Sequence, residues 1–200
     1  IGTPEDAKFE FIPLIDEKPI VVYGTSITQG ACASRPAMAW ASILQRAVDY
    51  PLINLGFSGS GRLETPIMNL INEIEARLYI LDCIPNLTYN LENEIEDRVC
   101  NAVKLIRSKH DTPILLVEHG GYSNGGSDTI SYQKYVAANK RSRAAYEKLI
   151  AEKVPGVYYL TKEELNLSPD SRVDYVHASD LGMQQQADAV EKKVREILHI

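Results

Sequence analysis

With 200 residues, 44% of them hydrophobic and 24% charged, the chain is long and apolar enough to bury the core of one domain. A formal net charge of −6, with no Lys/Arg cluster to offset it, argues against a nucleic-acid partner and leaves a small or neutral one. No apolar run reaches the length of a bilayer span, and three cysteines without a C-x-x-C spacing fit neither a disulfide scaffold nor a zinc site.

In chain order, residues 1–18 read as a mixed lead-in whose Phe9, Phe11, Ile12 and Leu14 are expected to pack on the body of the fold. Ile20, Val21, Val22 and Tyr23 form an uninterrupted β-branched and aromatic run, which suits a strand buried on both faces of a parallel sheet. Gly24 stops it, and Thr25, Ser26 and Thr28 follow at the strand's C-terminal end, where open α/β folds bind ligands. Taken alone, these hydroxyls more often satisfy turn backbone than do chemistry. Ser34 and Pro36 announce a helix whose Trp40, Ile43, Leu44, Ala47 and Val48 make one apolar stripe. A second strand over 51–55 runs into Gly56-Phe57-Ser58-Gly59-Ser60-Gly61, whose glycines permit a sharp turn or a close approach to a ligand.

Ile67, Leu70, Ile71 and Ile74 mark the next helical stripe, and a third strand over 78–81 ends in Asp82-Cys83-Ile84-Pro85-Asn86. Ile95, Val99, Ala102 and Ile106 give another helix, and 113–117 a fourth strand. The polar stretch 119–131 is longer than most connections and reads as a mobile lip over a site. A helix over 132–152, a strand over 157–160 and a last helix over 180–198 complete the alternation. Five strands alternating with helices imply an α/β fold: a flavodoxin-like three-layer α/β/α sandwich with a five-stranded parallel sheet in the order 2-1-3-4-5. Cys32, Cys83 and Cys100 are expected to be buried free thiols.

Several phosphate-binding motifs fail on spacing. Five residues separate Gly24 from Gly30 and Ala31 follows, so the P-loop lysine is missing; Gly59-Ser60-Gly61 lacks the third glycine of a dinucleotide fingerprint. Thr28 stands where the G-x-S-x-G elbow has its second glycine. If Ser26 is a nucleophile it needs a base, and there are four histidines to choose from. His199 lies in the C-terminal tail and His110 beside Lys109, both read as solvated. His119 follows the fourth strand at the active edge and stays open. His177 is preferred, because Asp174 three residues earlier can reach its Nδ1 across a turn and leave Nε2 for the serine. It precedes a helix capped by Ser179 or Asp180. On its own D-x-x-H is weak, and a surface loop is the ordinary alternative. Attack on an ester also needs donors for the developing oxyanion: the Ser26 N–H, an N–H of the glycine loop and the Asn86 amide all follow adjacent strands. Arg35, Trp40, Arg62, Tyr122 and Tyr132 are candidates to line a pocket, with core or surface roles the ordinary reading of each.

Together these blocks resemble an SGNH hydrolase of the GDSL-like lipase/esterase superfamily, over nearly the whole chain from residue 19 to 198. Gly24-Thr25-Ser26-Ile27-Thr28 matches the nucleophile block, and Asn54 points five residues on to Gly59 as the oxyanion glycine, with Gly56 in reserve. Asn86 matches the third block, and Asp174 and His177 the last. The resemblance implies catalytic Ser26, Asp174 and His177, an oxyanion hole of Ser26, Gly59 and Asn86, and no metal or organic cofactor. Two blocks depart from the pattern: Thr25 replaces the usual Asp before the serine, and Ile84, two residues before Asn86, and Leu87, directly after it, stand in place of Gly and Asp. The implied activity is two-step hydrolysis of a small-molecule or oligosaccharide ester through an acyl-enzyme, most simply a carbohydrate O-acetylesterase. A lysophospholipase or acyl-thioesterase is the alternative enzyme, and a noncatalytic glycan-binding domain the alternative of another kind. On this resemblance 19–200 is the hydrolase domain, and the lead-in 1–18, which opens without methionine, is the end of a preceding β-rich piece.

Overall fold

The computed structural model describes residues 2–13 and 16–200. Five parallel strands, β1 (Ile20–Gly24), β2 (Leu52–Gly56), β3 (Leu78–Asp82), β4 (Ile114–Val117) and β5 (Val157–Leu160), lie in the order β2-β1-β3-β4-β5. This is the expected topology. Among the described residues there are seven α-helices: α1 (Ser26–Gln29), α2 (Trp40–Val48), α3 (Thr65–Ile71), α4 (Ile95–Arg107) and α5 (Thr129–Ala151) lie between the strands, and α6 (Lys162–Leu165) and α7 (Asp180–Leu198) follow β5.

The period of two along each strand divides the core. Val21, Tyr23, Tyr79, Leu81, Ile114 and Leu116 face one way, packing with Met68 and Ile71 of α3, Val99 and Ile106 of α4, and Leu149 of α5. Ile20, Val22, Leu78, Ile80, Leu115 and Val117 face the other, against Trp40 and Leu44 of α2 and Met183, Val190 and Val194 of α7. β1 and β3 are buried along their whole length, and β2 is the half-exposed edge. The register sets Gly24 beside Gly56 on one side and Asp82 on the other, so the ends of three neighbouring strands open onto a single rim.

Several expectations change. Ser34 does not start α2; a 3-10 turn, Pro36–Met38, comes first, and both the N–H and the hydroxyl of Ser34 donate to the Asp180 carboxylate. In α3 the buried residues are Met68 and Ile71, while Leu70 is 59% exposed, because the inner face runs through Ile67, Met68 and Ile71 and Leu70 lies off it. Phe9, Phe11 and Ile12 are exposed rather than packed on the fold, and Leu14 lies outside the described residues. Cys83 and Cys100 are buried free thiols, but Cys32 is exposed. His110 is not a solvated residue: it is half-buried, its Nε2 3.0 Å from the Asn72 carbonyl oxygen, its ring beside Tyr79. The stretch after β4 carries several hydrogen bonds of its own. The Gly121 N–H donates to His119 Nδ1, the Ser123 N–H to the Tyr175 carbonyl, and Asp128 caps α5.

Candidate active site

Ser26 is the first residue of α1, directly beyond the end of β1. Thr25 takes the N-cap place, its Oγ1 accepting from the Ile27 N–H at 3.2 Å, so the change from Asp keeps a capping oxygen where one is needed. As a first-turn residue Ser26 has an N–H without an intrahelical acceptor. Thr28, two residues on, is buried and donates to Asp82 Oδ2 at 2.8 Å, which pins α1 to the end of β3. Glycine is required at Gly24, since a Cβ there would stand 2.0 Å from Thr28 Oγ1.

His177 and Asp174 come from the loop before α7. An isolated antiparallel bridge between Arg172 and Ala178, with the Val173 N–H donating to the His177 carbonyl at 2.9 Å, closes this loop on itself. Within it Asp174 Oδ1 accepts from the N–H groups of Val176 and His177, at 3.1 and 2.7 Å, and Oδ2 lies 2.6 Å from His177 Nδ1. Partial burial pushes the Asp174 carboxyl up, but the bonds from the His177 ring and the two backbone N–H groups outweigh it and hold the pKa down to about 2. The ionised carboxylate only accepts, so the ring proton sits on Nδ1 and Nε2 presents a lone pair. That nitrogen is 2.8 Å from Ser26 Oγ, across 151 positions of sequence. Of the two capping candidates for α7, Ser179 takes the N-cap, leaving Asp180 to hold Ser34.

The expected oxyanion donors lie on loops from adjacent strands. Gly59 has φ +69°, a left-handed conformation, in the turn after β2, and no atom lies within 4 Å of where its Cβ would stand. Asn86 is in a 3-10 turn after β3, its Nδ2 3.4 Å from the Phe57 carbonyl oxygen, so the amide borders the glycine loop. The reserve residue Gly56 is otherwise engaged: its N–H donates to Asn54 Oδ1 at 2.9 Å, and a Cβ would meet the Gln29 nitrogen at 2.2 Å. Asn54 itself clamps the loop to α1, its Nδ2 donating to the Thr28 carbonyl at 2.8 Å.

His119 is elsewhere. It is buried between the rings of Tyr122 and Tyr135, with Nδ1 taken by the Gly121 N–H. Burial, with Arg172 and Lys162 nearby, lowers its pKa to about 3.

Three features were not read from the sequence. Asp82, fully buried, accepts from Thr28 and from Gln186 Nε2 at 3.2 Å; burial outweighs these bonds and raises its pKa to about 7. Its one signal was a carboxylate closing an otherwise apolar strand. Tyr89, Asn124, Lys134 and Tyr175 join the pocket candidate Tyr122 around a cavity of about 220 Å³ that Asp174 borders. Cys32 stands beside the Asp174–His177 pair.

A model of the GDSL-like lipase/acylhydrolase family matches residues 17–195. A solved structure described as a GDSL-like lipase from Bacteroides ovatus is 34% identical, with a TM-score of 0.86 over 92% of this chain and 54% of its own. A salicylyl-acyltransferase from a tetracycline biosynthetic pathway is 18% identical, with a TM-score of 0.78 over 90% of this chain and 55% of its own. A carbohydrate acetylesterase family member from Sinorhizobium meliloti is 17% identical, with a TM-score of 0.62 over 92% of this chain and all of its own, 100%. The latter two show likeness of fold alone, and the chain spans about half the length of the first two, 54% and 55%. No curated protein matches. Helix α1 opening on a serine at the rim of a 2-1-3-4-5 sheet, a family model that covers residues 17–195 and a relative at 34% identity agree: the chain belongs to the GDSL-like lipase/acylhydrolase family.

Proposed function

We propose that the chain is a serine ester hydrolase working through an acyl-enzyme, with Ser26 as nucleophile, His177 as general base and Asp174 as the carboxylate that orients it. The observation that carries this reading is the continuous relay from Ser26 Oγ to His177 Nε2 at 2.8 Å and from Nδ1 to Asp174 Oδ2 at 2.6 Å. Ser26 Oγ attacks the ester carbonyl carbon and its proton passes to Nε2. The N–H groups of Ser26 and Gly59 and the Asn86 amide stabilise the oxyanion, each such donor typically contributing about 2.7–4 kcal/mol. Collapse expels the alcohol, which takes the proton from Nε2, and water then attacks the acyl-enzyme with the same base.

For the substrate we favour an O-acetylated carbohydrate. The cavity bordered by Asp174 combines three tyrosines, Tyr89, Tyr122 and Tyr175, with Asn124 and Lys134, a mixture of ring faces and polar groups suited to a sugar. The large apolar hollow, about 720 Å³, opens beside Pro19 and Pro51, where β1 and β2 begin, at the end of the sheet opposite Ser26. The position of this hollow, away from Ser26, favours a short acyl group over a long one. Two solved relatives from Sinorhizobium meliloti, 17% and 14% identical, are described as carbohydrate acetylesterases, which agrees with this choice.

The test has two arms. A fluorophosphonate probe labels the wild type and not Ser26→Ala; equal labelling of both removes Ser26 from the mechanism. Among p-nitrophenyl esters of increasing chain length acetate is turned over best, and a preference for long acyl chains overturns the acetylesterase reading in favour of a lysophospholipase or thioesterase.

A further inference from the structure

Cys32 lies in the loop after α1, and nothing in the proposed hydrolysis uses it. Its exposed thiol sulfur, a carboxylate oxygen of Asp174 and a ring nitrogen of His177 all lie within 4.8 Å of one another. The donors come from two segments far apart in sequence that are tied at one point. Ser34, two residues beyond Cys32, donates its N–H at 2.8 Å and its hydroxyl at 2.6 Å to Asp180, three residues beyond His177. The cluster is thus a braced arrangement of one sulfur, one nitrogen and one oxygen donor, facing solvent.

A tetrahedral zinc ion with bonds of about 2.0–2.3 Å separates its ligands by about 3.3–3.8 Å, so roughly 1 Å of side-chain movement closes this set around a metal. Thiolate with imidazole selects zinc over magnesium or calcium, and the fourth position stays open to water. We propose that Cys32, Asp174 and His177 form an inhibitory Zn²⁺ site that holds the general base out of action. This rests on the base role proposed for His177. The chemistry balances without a co-reactant: the Cys32 thiol releases its proton to solvent as the sulfur binds, and no atom changes oxidation state. If the metal takes Nε2, it occupies the lone pair that receives the serine proton. If it takes Nδ1, the neutral ring carries its proton on Nε2, which again leaves nothing to accept from Ser26. Withdrawal of zinc restores the relay.

Calorimetric titration with zinc chloride and p-nitrophenyl acetate hydrolysis with zinc then chelator, on wild type, Cys32→Ala and Ser26→Ala, test this. The wild type binds one zinc ion and loses its esterase activity, and chelator restores it. Cys32→Ala keeps its activity without metal, while its zinc affinity and its sensitivity to zinc both fall at least about tenfold. Ser26→Ala, which hydrolyses nothing, binds zinc like the wild type because the serine is no ligand. Calorimetric binding unchanged in Cys32→Ala, or no binding by the wild type, overturns the zinc site whatever the activity. Zinc binding that needs Cys32 in a protein that cleaves no ester upholds the site and overturns the hydrolase reading instead.

Discussion

Replacing Asp174 by Asn changes one atom's hydrogen-bonding sense and leaves shape and volume nearly intact. In the native loop Oδ1 accepts from two backbone N–H groups, at 3.1 and 2.7 Å, while Oδ2 faces His177 Nδ1 at 2.6 Å. An asparagine has a single oxygen. Keeping it on the two N–H donors turns the amide NH₂ toward Nδ1; turning it the other way sets NH₂ against both N–H groups and strands them, at about 1–3 kcal/mol for each. The first arrangement prevails. Nδ1 then accepts from the amide, the ring proton moves to Nε2, and a donor instead of a lone pair meets Ser26 Oγ at 2.8 Å. The loss expected from such a tautomer inversion is about 10⁴-fold in kcat, or roughly 5 kcal/mol of barrier. The assay is steady-state turnover of p-nitrophenyl acetate by Asp174→Asn, with the fluorophosphonate labelling rate as a second readout and thermal melting to confirm an intact fold. A folded Asp174→Asn variant that keeps more than about a tenth of wild-type kcat refutes the relay.

His119→Ala keeps kcat/KM per folded molecule within a few-fold of wild type, because this imidazole is buried and its Nδ1 is engaged by Gly121; a collapse of turnover on an intact fold transfers the base to it. Asn86→Ala lowers kcat by about 10²–10³, the usual effect of removing one oxyanion donor, and unchanged kcat removes Asn86 from the hole. Gly61→Ala sets a Cβ 1.9 Å from the Gly24 carbonyl oxygen, backbone that cannot step aside, and prevents stable folding; Gly59→Ala meets nothing within 4 Å, keeps its N–H and loses only about 1 kcal/mol to its φ of +69°. Equal melting temperatures for the two variants refute that distinction. Asp82 titrates near pH 7 in the native protein against an ordinary 3.8, so the folded state binds the extra proton between those values. Its contribution to stability therefore falls as pH rises from about 4 to about 7, by at most about 1.4 kcal/mol per pH unit. Asp82→Asn removes that slope from denaturation measured across the window; an unchanged slope shows that Asp82 does not titrate there.

The sheet was legible because its three central strands, β1, β3 and β4, are apolar runs buried on both faces, each followed by a polar loop. Ser26, Asp174 and His177 were legible for another reason: a serine behind a buried strand and a D-x-x-H before a capped helix are local patterns, and α7, packed against α2 on the β1 side of the sheet, carries the second pattern back to the first. Pairings between distant polar residues were not legible. Nothing local links Asp82 to Gln186, 104 positions away, or Ser34 to Asp180, and both bonds depend on how α7 lies against the sheet. Cys32 was misjudged because cysteines are usually buried, whereas the turn after α1 leaves this one at the surface with φ +68°. Leu70 followed a helical spacing, but the inner face of α3 runs through Ile67, Met68 and Ile71 and leaves it outside.

The short loop closed between Arg172 and Ala178 has a mechanical corollary. Since carboxylate and imidazole ride on the same small ring of backbone, their spacing is fixed locally, and the one distance left to the rest of the molecule is the gap from imidazole to alcohol. On the proposed mechanism, shear of α7 against α1 works like a clutch: it disengages a fully armed pair from its serine, so variants slackened there lose turnover in proportion to misalignment and regain it when the helices are braced.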